Sequence, residues 1–408
     1  MVKKKKKKEK WLKFRHKVVR NVVFPFLKPY VRLKYGIRIK KFREQRKHQP
    51  YLILYNHQTA FDQFFVGMSF SGPVYYLASE DLFSKGLLSS LLRWAVAPIP
   101  IRKQSTDVTA VMNCMRVAKE GGTIAIAPEG NRTYSGTTEY MNPAIATLAK
   151  RLKMPIALYR IEGGYGVHPR WSDVLRKGKM TSYVSEVIEA EEVAALSPEE
   201  LLTRIKTGLY VDEGNANHRY LSSKRAEYLE RAIYVCPKCG FANFESNGNQ
   251  IRCTSCDLTV HYGEDTELSS TDKAFPFSFV SQWYKYQKSF VNGTDPLSHT
   301  QTPLFRDSAK LSLVHVEKHK EVLYEDAQLS LYGDRIAVNE GQADARTFSF
   351  DELSAVAVLG KNKVNLYHGK DLYQLKSHKR FNGLKYVNLY YRYKNVTGGA
   401  PYGEFLGL

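Results

Sequence analysis

Four short, largely apolar runs punctuate this chain at 51–55, 74–78, 123–127 and 155–159, and the more mixed stretch 179–188 supplies a fifth expected strand. Each has the length of a strand, and the first four are too short to be helices. Longer segments with helical spacing separate them, such as 107–119, which closes at the turn Gly121-Gly122. After the last run, Ser197-Pro198-Glu199-Glu200 reads as a capped helix start, with the helix reaching about Leu209. Parallel neighbours need crossovers of a dozen or more residues, so strands alternating with helices specify an α/β domain with a largely parallel sheet. That domain is expected over residues 47–215.

Charge marks a different segment ahead of it. The first 50 residues hold 20 of the 61 Lys and Arg but only 2 of the 40 Asp and Glu. They carry +18 of the chain's net +21, and the remaining 358 residues are close to neutral. A chain basic throughout is therefore excluded, and one basic surface facing one polyanionic partner is implied. Within 1–46, Trp11, Phe14, Val18, Val19, Val22 and Val23 recur at helical spacing among Lys13, Arg15, Lys17 and Arg20. Apolar residues on one face and cations on the other describe an interfacial helix on an anionic membrane. Pro25 and Pro29 are expected to break or kink it, with a second short helix or extended piece at 30–39. The bland alternative is a polylysine tail and a helix packed on the domain. The longest nearby apolar run, 22–27, is too short and Pro-broken for a secretory signal. No run of about 18 apolar residues could span a bilayer, so membrane contact is expected to be peripheral, at the cytoplasmic face of the cell membrane.

Polar residues at the expected strand ends suggest chemistry. The first strand runs into Asn56-His57-Gln58-Thr59-Ala60-Phe61-Asp62. A helix starting near Thr59 would put Asp62 in its first turn, able to reach back to the His57 imidazole and orient it as a base. A loop histidine capping a helix is the plain alternative. The third strand runs into Pro128-Glu129-Gly130-Asn131-Arg132. Gly130 would let backbone approach a ligand, Arg132 offers a fork for phosphate, and Glu129 is better suited to holding Arg132 or the loop. Arg102 follows the apolar segment 95–101. Ligands of open α/β sheets bind beyond the carboxyl ends of strands.

Taken in order, His57 and Asp62 as H-x4-D, Pro100-Ile101-Arg102, Pro128-Glu129-Gly130-Asn131-Arg132 and Met154-Pro155-Ile156 resemble the four motifs of the lysophosphatidic acid acyltransferase family. The resemblance spans about residues 28–213. It implies direct acyl transfer from acyl-CoA or acyl carrier protein to the free hydroxyl of lysophosphatidic acid, giving phosphatidic acid in phospholipid synthesis. His57 and Asp62 would be catalytic, while Arg102, Glu129, Gly130 and Arg132 would serve substrate binding. Ser79 stands where the family often has Lys, so another lysophospholipid or hydroxyl acceptor stays open.

Cys236-Pro237-Lys238-Cys239 and Cys253-Thr254-Ser255-Cys256 pair two thiolate knuckles across thirteen residues. This spacing resembles a zinc ribbon, expected at 233–262, and four thiolates make a closed structural Zn2+ site. Residues 216–232 read as a helical linker. Residues 263–408 read as a β-rich domain with short strands near 311–316, 321–324, 328–332, 335–338, 347–350, 355–358, 363–367 and 372–375, closed by a helix through Phe381, Leu384, Val387 and Tyr391. Loosely, this resembles pleckstrin-homology-like domains. The rival reading is a catalytically inert nucleic-acid-binding or scaffold protein using the ribbon. With few cations on the ribbon beyond Lys238 and Arg252, no specific nucleic acid is expected.

Overall fold

The computed structural model describes residues 10–79, 82, 87–101, 107–214, 218–315, 320–398 and 403–407. The chain packs as two units. The first takes in residues up to 130, then 141–162 and 180–211, and the second takes 131–140, 163–179 and 212–408.

The first unit follows the alternation of the sequence. Its elements are α1 (Phe14–Tyr35), β1 (Ile37–Ile39), β2 (Leu52–Tyr55), α2 (Asp62–Ser69), β3 (Val74–Ser79), α3 (Leu87–Val96), β4 (Ile99–Ile101), α4 (Val108–Lys119), β5 (Thr123–Ile126), α5 (Ala144–Leu152) and β6 (Ile156–Glu162). After an insertion carrying α6 (Gly164–Val167) come β7 (Met180–Ile188), α7 (Ala190–Ala195) and α8 (Pro198–Leu209). The seven strands form one sheet, ordered β1-β7-β6-β2-β5-β3-β4. It is mostly parallel; β6 and β7 form the antiparallel pair. Alternate residues of a strand face opposite sides. Leu52 and Leu54 thus join Ile124, Ile126, Ile156 and Leu158 in a core with Cys114 and Val117 of α4, Ile145 and Ala149 of α5, and Leu201 and Ile205 of α8. The capped start at 197–200 is present: Ser197 accepts from the Glu200 N–H, and Glu200 accepts from the Ser197 N–H.

Of the break or kink expected at Pro25 and Pro29, the break does not occur. Residues 14–35 form one 22-residue helix that continues through both prolines. Each proline removes only its own N–H bond, and the carbonyls this frees belong to Asn21 and Pro25, both exposed, so water can satisfy them. Tertiary contacts hold the helix. His16, Val31 and Tyr35 are buried. Arg20 donates to the Gly67 and Phe70 carbonyls at 3.3 and 2.6 Å, and the Glu120 carboxylate accepts from the backbone of Trp11 and Leu12. Of the second short helix or extended piece expected at 30–39, the extended form is present as β1, which follows at once and pairs in parallel with β7.

The second unit begins, past its two early segments, with irregular chain. The stretch read as a helical linker carries, among its described residues 218–232, one 3-10 turn at Leu229–Arg231. Here side chains decide the backbone: Arg225, Glu227, Glu230 and Arg231 are each buried in specific polar contacts, overriding helix propensity. Small strands follow at β8 (Val235–Cys236), β9 (Gly240–Phe241), β10 (Phe244–Asn247), β11 (Gln250–Cys253), β12 (Thr259–Tyr262) and β13 (Leu268–Ser269). Next comes α9 (Val280–Gly293), a helix the aromatic texture of the sequence concealed.

A seven-stranded antiparallel sheet completes the unit: β14 (Phe305–Val314), β15 (Lys320–Leu331), β16 (Arg335–Val338), β17 (Arg346–Ser349), β18 (Leu353–Leu359), β19 (Lys363–His368) and β20 (Asp371–Lys376), ordered β17-β16-β15-β14-β20-β19-β18. The two strands expected at 321–324 and 328–332 are one long strand, β15, paired along β14 across an irregularity at Ala309–Ser312. The closing helix α10 (Leu384–Thr397) buries Leu384, Tyr386, Val387, Leu389 and Tyr390 in the same core as Leu311, Val356 and Leu366.

Candidate active site

The site grows from the end of β2. Asn56 is fully buried, and its amide bridges to β6: Nδ2 donates to the Ile161 carbonyl and Oδ1 accepts from the Ile161 N–H, both at 2.8 Å. This double bond fixes where the chain leaves the sheet. His57 follows, and its backbone N–H donates to Glu129 Oε1 at 3.0 Å. Glu129 is itself buried at the end of β5. Its role is therefore concrete: it ties the loop after β5 to the loop after β2.

Asp62 is the first residue of α2 and has no exposed surface. Its Oδ2 accepts from His57 Nδ1 at 2.8 Å, from the Gln58 N–H at 2.7 Å and from the Thr59 N–H at 2.9 Å. Its Oδ1 accepts from the Thr59 N–H at 2.9 Å and from the Thr59 hydroxyl at 2.7 Å. A buried carboxylate is tolerable only when its lone pairs are satisfied. These donors satisfy both carboxylate oxygens of Asp62. A neutral imidazole whose Nδ1–H donates a hydrogen bond to this carboxylate carries its basic lone pair on Nε2. The His57 side chain is about a quarter exposed, 23%, so the base is partly accessible while its partner is sealed.

Gly130 sits at φ 68°, the left-handed region, where its N–H closes a turn on the Ala127 carbonyl at 3.0 Å. A Cβ at this position would meet nothing within 4 Å, so the backbone angle, not crowding, calls for glycine. His57, Asp62, Glu129 and Gly130 thus gather in the first unit. Arg132 falls in the second unit, where the Arg170 guanidinium donates to its carbonyl at 2.9 Å. Arg102 lies outside the described residues. Cys114 is buried in α4, and burial pushes its thiol up to about 12, which suits a packing residue and not a nucleophile. What the sequence could not reveal was Gln58 and Thr59 as backbone donors to Asp62, or Glu129 as the acceptor for His57; the only local signal was their place in the motifs.

In the second unit, the Sγ atoms of Cys236, Cys239, Cys253 and Cys256 all lie within 4.8 Å of one another. Two of the pairs, Cys236–Cys256 and Cys239–Cys253, are 3.6 Å apart. Tetrahedral zinc with Zn–S bonds of about 2.3 Å needs sulfurs roughly 3.8 Å apart. The donor set and spacing fit Zn2+, and four thiolates leave no open position for chemistry.

Residues 36–160 match the family model described as Acyltransferase. Over 184 residues the chain is 21% identical to the 1-acyl-sn-glycerol-3-phosphate acyltransferase of Bacillus subtilis (strain 168), covering 45% of this chain and 89% of that protein. A solved structure of the 1-acyl-sn-glycerophosphate acyltransferase from Thermotoga maritima is similar at 18% identity and a TM-score of 0.41, over 49% of this chain and 81% of that one. The stretch that matches the Acyltransferase model, residues 36–160, contains His57, Asp62, Glu129, Gly130 and Arg132.

Proposed function

We propose that this chain is an acyltransferase that moves a fatty acyl group from acyl-CoA or acyl carrier protein to the free hydroxyl of lysophosphatidic acid, yielding phosphatidic acid. The observation that carries the reading is the His57–Asp62 pair at 2.8 Å, with the carboxylate fully buried and the imidazole partly open, inside the family-matched segment. His57 Nε2 takes the proton of the acceptor hydroxyl. The resulting oxygen attacks the thioester carbonyl, and the C–S bond breaks as the new ester forms. The departing thiolate recovers the proton from His57. Asp62 holds the ring in the required tautomer and stabilises the imidazolium formed in between. Both substrates react directly, so no acyl-enzyme nucleophile is needed, and aligning them beside one base supplies a large part of the rate. Arg132 and Arg102 bind the acceptor phosphate, and Gly130 shapes the loop that presents it.

The acceptor is a lipid, and the first unit has a surface suited to reaching it. Phe14, Val18, Val22, Phe26, Tyr30 and Leu33 form an exposed stripe along α1, and Leu87, Leu91 and Trp94 are exposed on α3. Arg15 joins the two helices by donating to the Trp94 carbonyl at 2.9 Å. Among the described residues no helix is long and apolar enough to cross a membrane. Exposed apolar side chains among Lys17, Lys28, Arg32 and Lys34 favour peripheral contact with an anionic membrane, which we place at the cytoplasmic face of the cell membrane. Cys236, Cys239, Cys253 and Cys256 hold a structural zinc. The strand order of the C-terminal sheet with its closing helix supports a pleckstrin-homology-like domain.

The test is product identification. Purified protein is given acyl-CoA or acyl carrier protein with lysophosphatidate and other lysolipids in competition, and the products are read by mass spectrometry. Phosphatidic acid should dominate, and His57→Ala should abolish it while the melting temperature holds. Absence of acyl transfer to every lysolipid, or an active His57→Ala variant, would sink the proposal.

A further inference from the structure

The C-terminal antiparallel sheet sets like charges against one another. Lys310 of β14 stands directly opposite Lys376 of β20, and Lys376 stands directly opposite Lys363 of β19. Side chains in such a row share one face, with Cβ atoms about 5 Å apart, and like charges there are destabilising. Lysines on an edge strand would guard against stray pairing, but β14, β20 and β19 all lie inside the sheet. The other face of these strands is the core, where Leu311, Leu375 and Val364 pack with Leu384 of α10. The lysines therefore line the outer face.

By strand alternation, β14, β20 and β19 put no carboxylate of their own on that face; Asp307 and Asp371 fall on the opposite one. Glu325 of β15 reaches Lys310 at 2.9 Å. Among the described residues Lys363 and Lys376 form no ion pair, and Lys376 is exposed. Two residues along each strand, the neighbouring row is Ser312, Gln374 and Asn365, all buried. Gln374 Nε2 donates to Asn365 Oδ1 at 2.8 Å, and Gln374 Oε1 accepts from Lys320 Nζ at 2.7 Å. Hydrogen-bonded polar groups, rather than apolar side chains able to enter a bilayer, thus flank the lysines.

We infer that the outer face of β14, β20 and β19 is a docking surface for an acidic helix of a protein partner, laid across the strands over Lys310, Lys376 and Lys363. Neighbouring strands are about 4.8 Å apart, so the row spans roughly 10 Å. Carboxylates at i, i+4 and i+7 of an α-helix share a face and span about 10.5 Å at a rise of about 1.5 Å per residue. Lys363 and Lys376 then each meet one carboxylate, and the third competes for Lys310 with Glu325, whose side chain is 76% exposed. Repulsion along the row becomes attraction to the partner. The surface lies wholly within the second unit, and it stands independently of the acyl-transfer reading.

The probe is a fluorescent helical peptide with glutamates at i, i+4 and i+7, added to the full chain. A carbodiimide joins carboxylates to the amines they touch, and mass spectrometry of the digest should find the peptide on Lys363 and Lys376. Lys363→Gln combined with Lys376→Gln should weaken the peptide about fivefold by fluorescence anisotropy, and the corresponding pair of Arg substitutions should retain it. The melting temperature of the Gln double variant should hold or rise, because the opposed charges are relieved. Cross-links confined to residues 1–50, or equal peptide affinity in wild type and the Gln double variant, would overturn the inference. So would a larger loss of binding to anionic vesicles or duplex DNA than to the peptide in that variant, which would assign the face to a membrane or a nucleic acid.

Discussion

Replacing Asp62 by Asn changes one atom at the centre of the site and has a consequence that can be worked out. The amide has the shape of the carboxylate, so the Gln58 and Thr59 backbone donors can still bond its oxygen, and the Thr59 hydroxyl can turn to accept from its nitrogen. What disappears is the negative charge facing the imidazolium. With Nδ1 and Oδ2 2.8 Å apart, the two charge centres are about 4 Å apart. At an effective dielectric near 20 their attraction is about 4 kcal/mol, which converts to roughly a thousandfold in rate. Should the amide turn its nitrogen to His57, the ring must take the opposite tautomer, and the basic lone pair leaves Nε2 altogether. The expected outcome is a kcat about 10^3 below wild type, with KM for the acceptor little changed. Thiol release from acyl-CoA follows turnover, and near-ultraviolet circular dichroism with a thermal melt monitors folding. A folded Asp62→Asn protein retaining more than a tenth of the wild-type kcat would refute the assignment of His57 as a base oriented by Asp62.

Three further outcomes follow from other parts of the molecule. Removing metal with a strong chelator should lower the melting temperature and release about one zinc per chain into a colorimetric assay; no zinc, or an unchanged melt, would exclude a structural metal at the four cysteines. Phe26→Ser combined with Leu33→Ser, at side chains 77% and 87% exposed, should cut sedimentation with anionic vesicles several-fold and leave the melt unchanged, and unaltered binding would move the membrane contact elsewhere. Burial alone would raise the Asp173 carboxyl, but hydrogen bonds from Arg231 and Lys361 outweigh it and bring it down to about 2. Its contribution to stability is therefore complete above the ordinary carboxylate range near 4 and is lost as pH falls toward 2. Asp173→Asn should accordingly flatten the pH dependence of the melt between pH 5 and 2.5, and an unchanged slope would show that Asp173 contributes nothing there.

How far the sequence could be read depended on how local each signal was. The runs at 51–55 and 123–127 are apolar along their length, and both became central strands, β2 and β5. By contrast β1 and β4 are three residues each, too short to stand out from loop, and exist because β7 and β3 pair with them. The spacing of His57 and Asp62 was legible because one turn of chain joins them. The bond from His57 to Glu129 was not, since 72 residues separate the partners and nothing local marks the pairing. Lys361 lies further still from Asp173, in a turn whose residues Gly360 and Lys361 signal only a hairpin. Helix α1 was visible from its periodicity, while the contacts that hold it, such as Arg20 on the Gly67 and Phe70 carbonyls, come from distant parts of the chain.

The division of the chain into interleaved segments bears on how such a protein can be taken apart. Tyr134 comes from 131–140, and Tyr165 and Trp171 come from 163–179; all three are buried in a core shared with Tyr262, Trp283 and Leu389. Cutting after Val211 would keep every residue of the family-matched segment yet strip these aromatics of their covering. The C-terminal half is thus no detachable cassette. A fragment trimmed to the length of its shorter relatives would expose a sticky aromatic surface, and any exchange of parts between such proteins must carry the two early segments along with the half that shelters them.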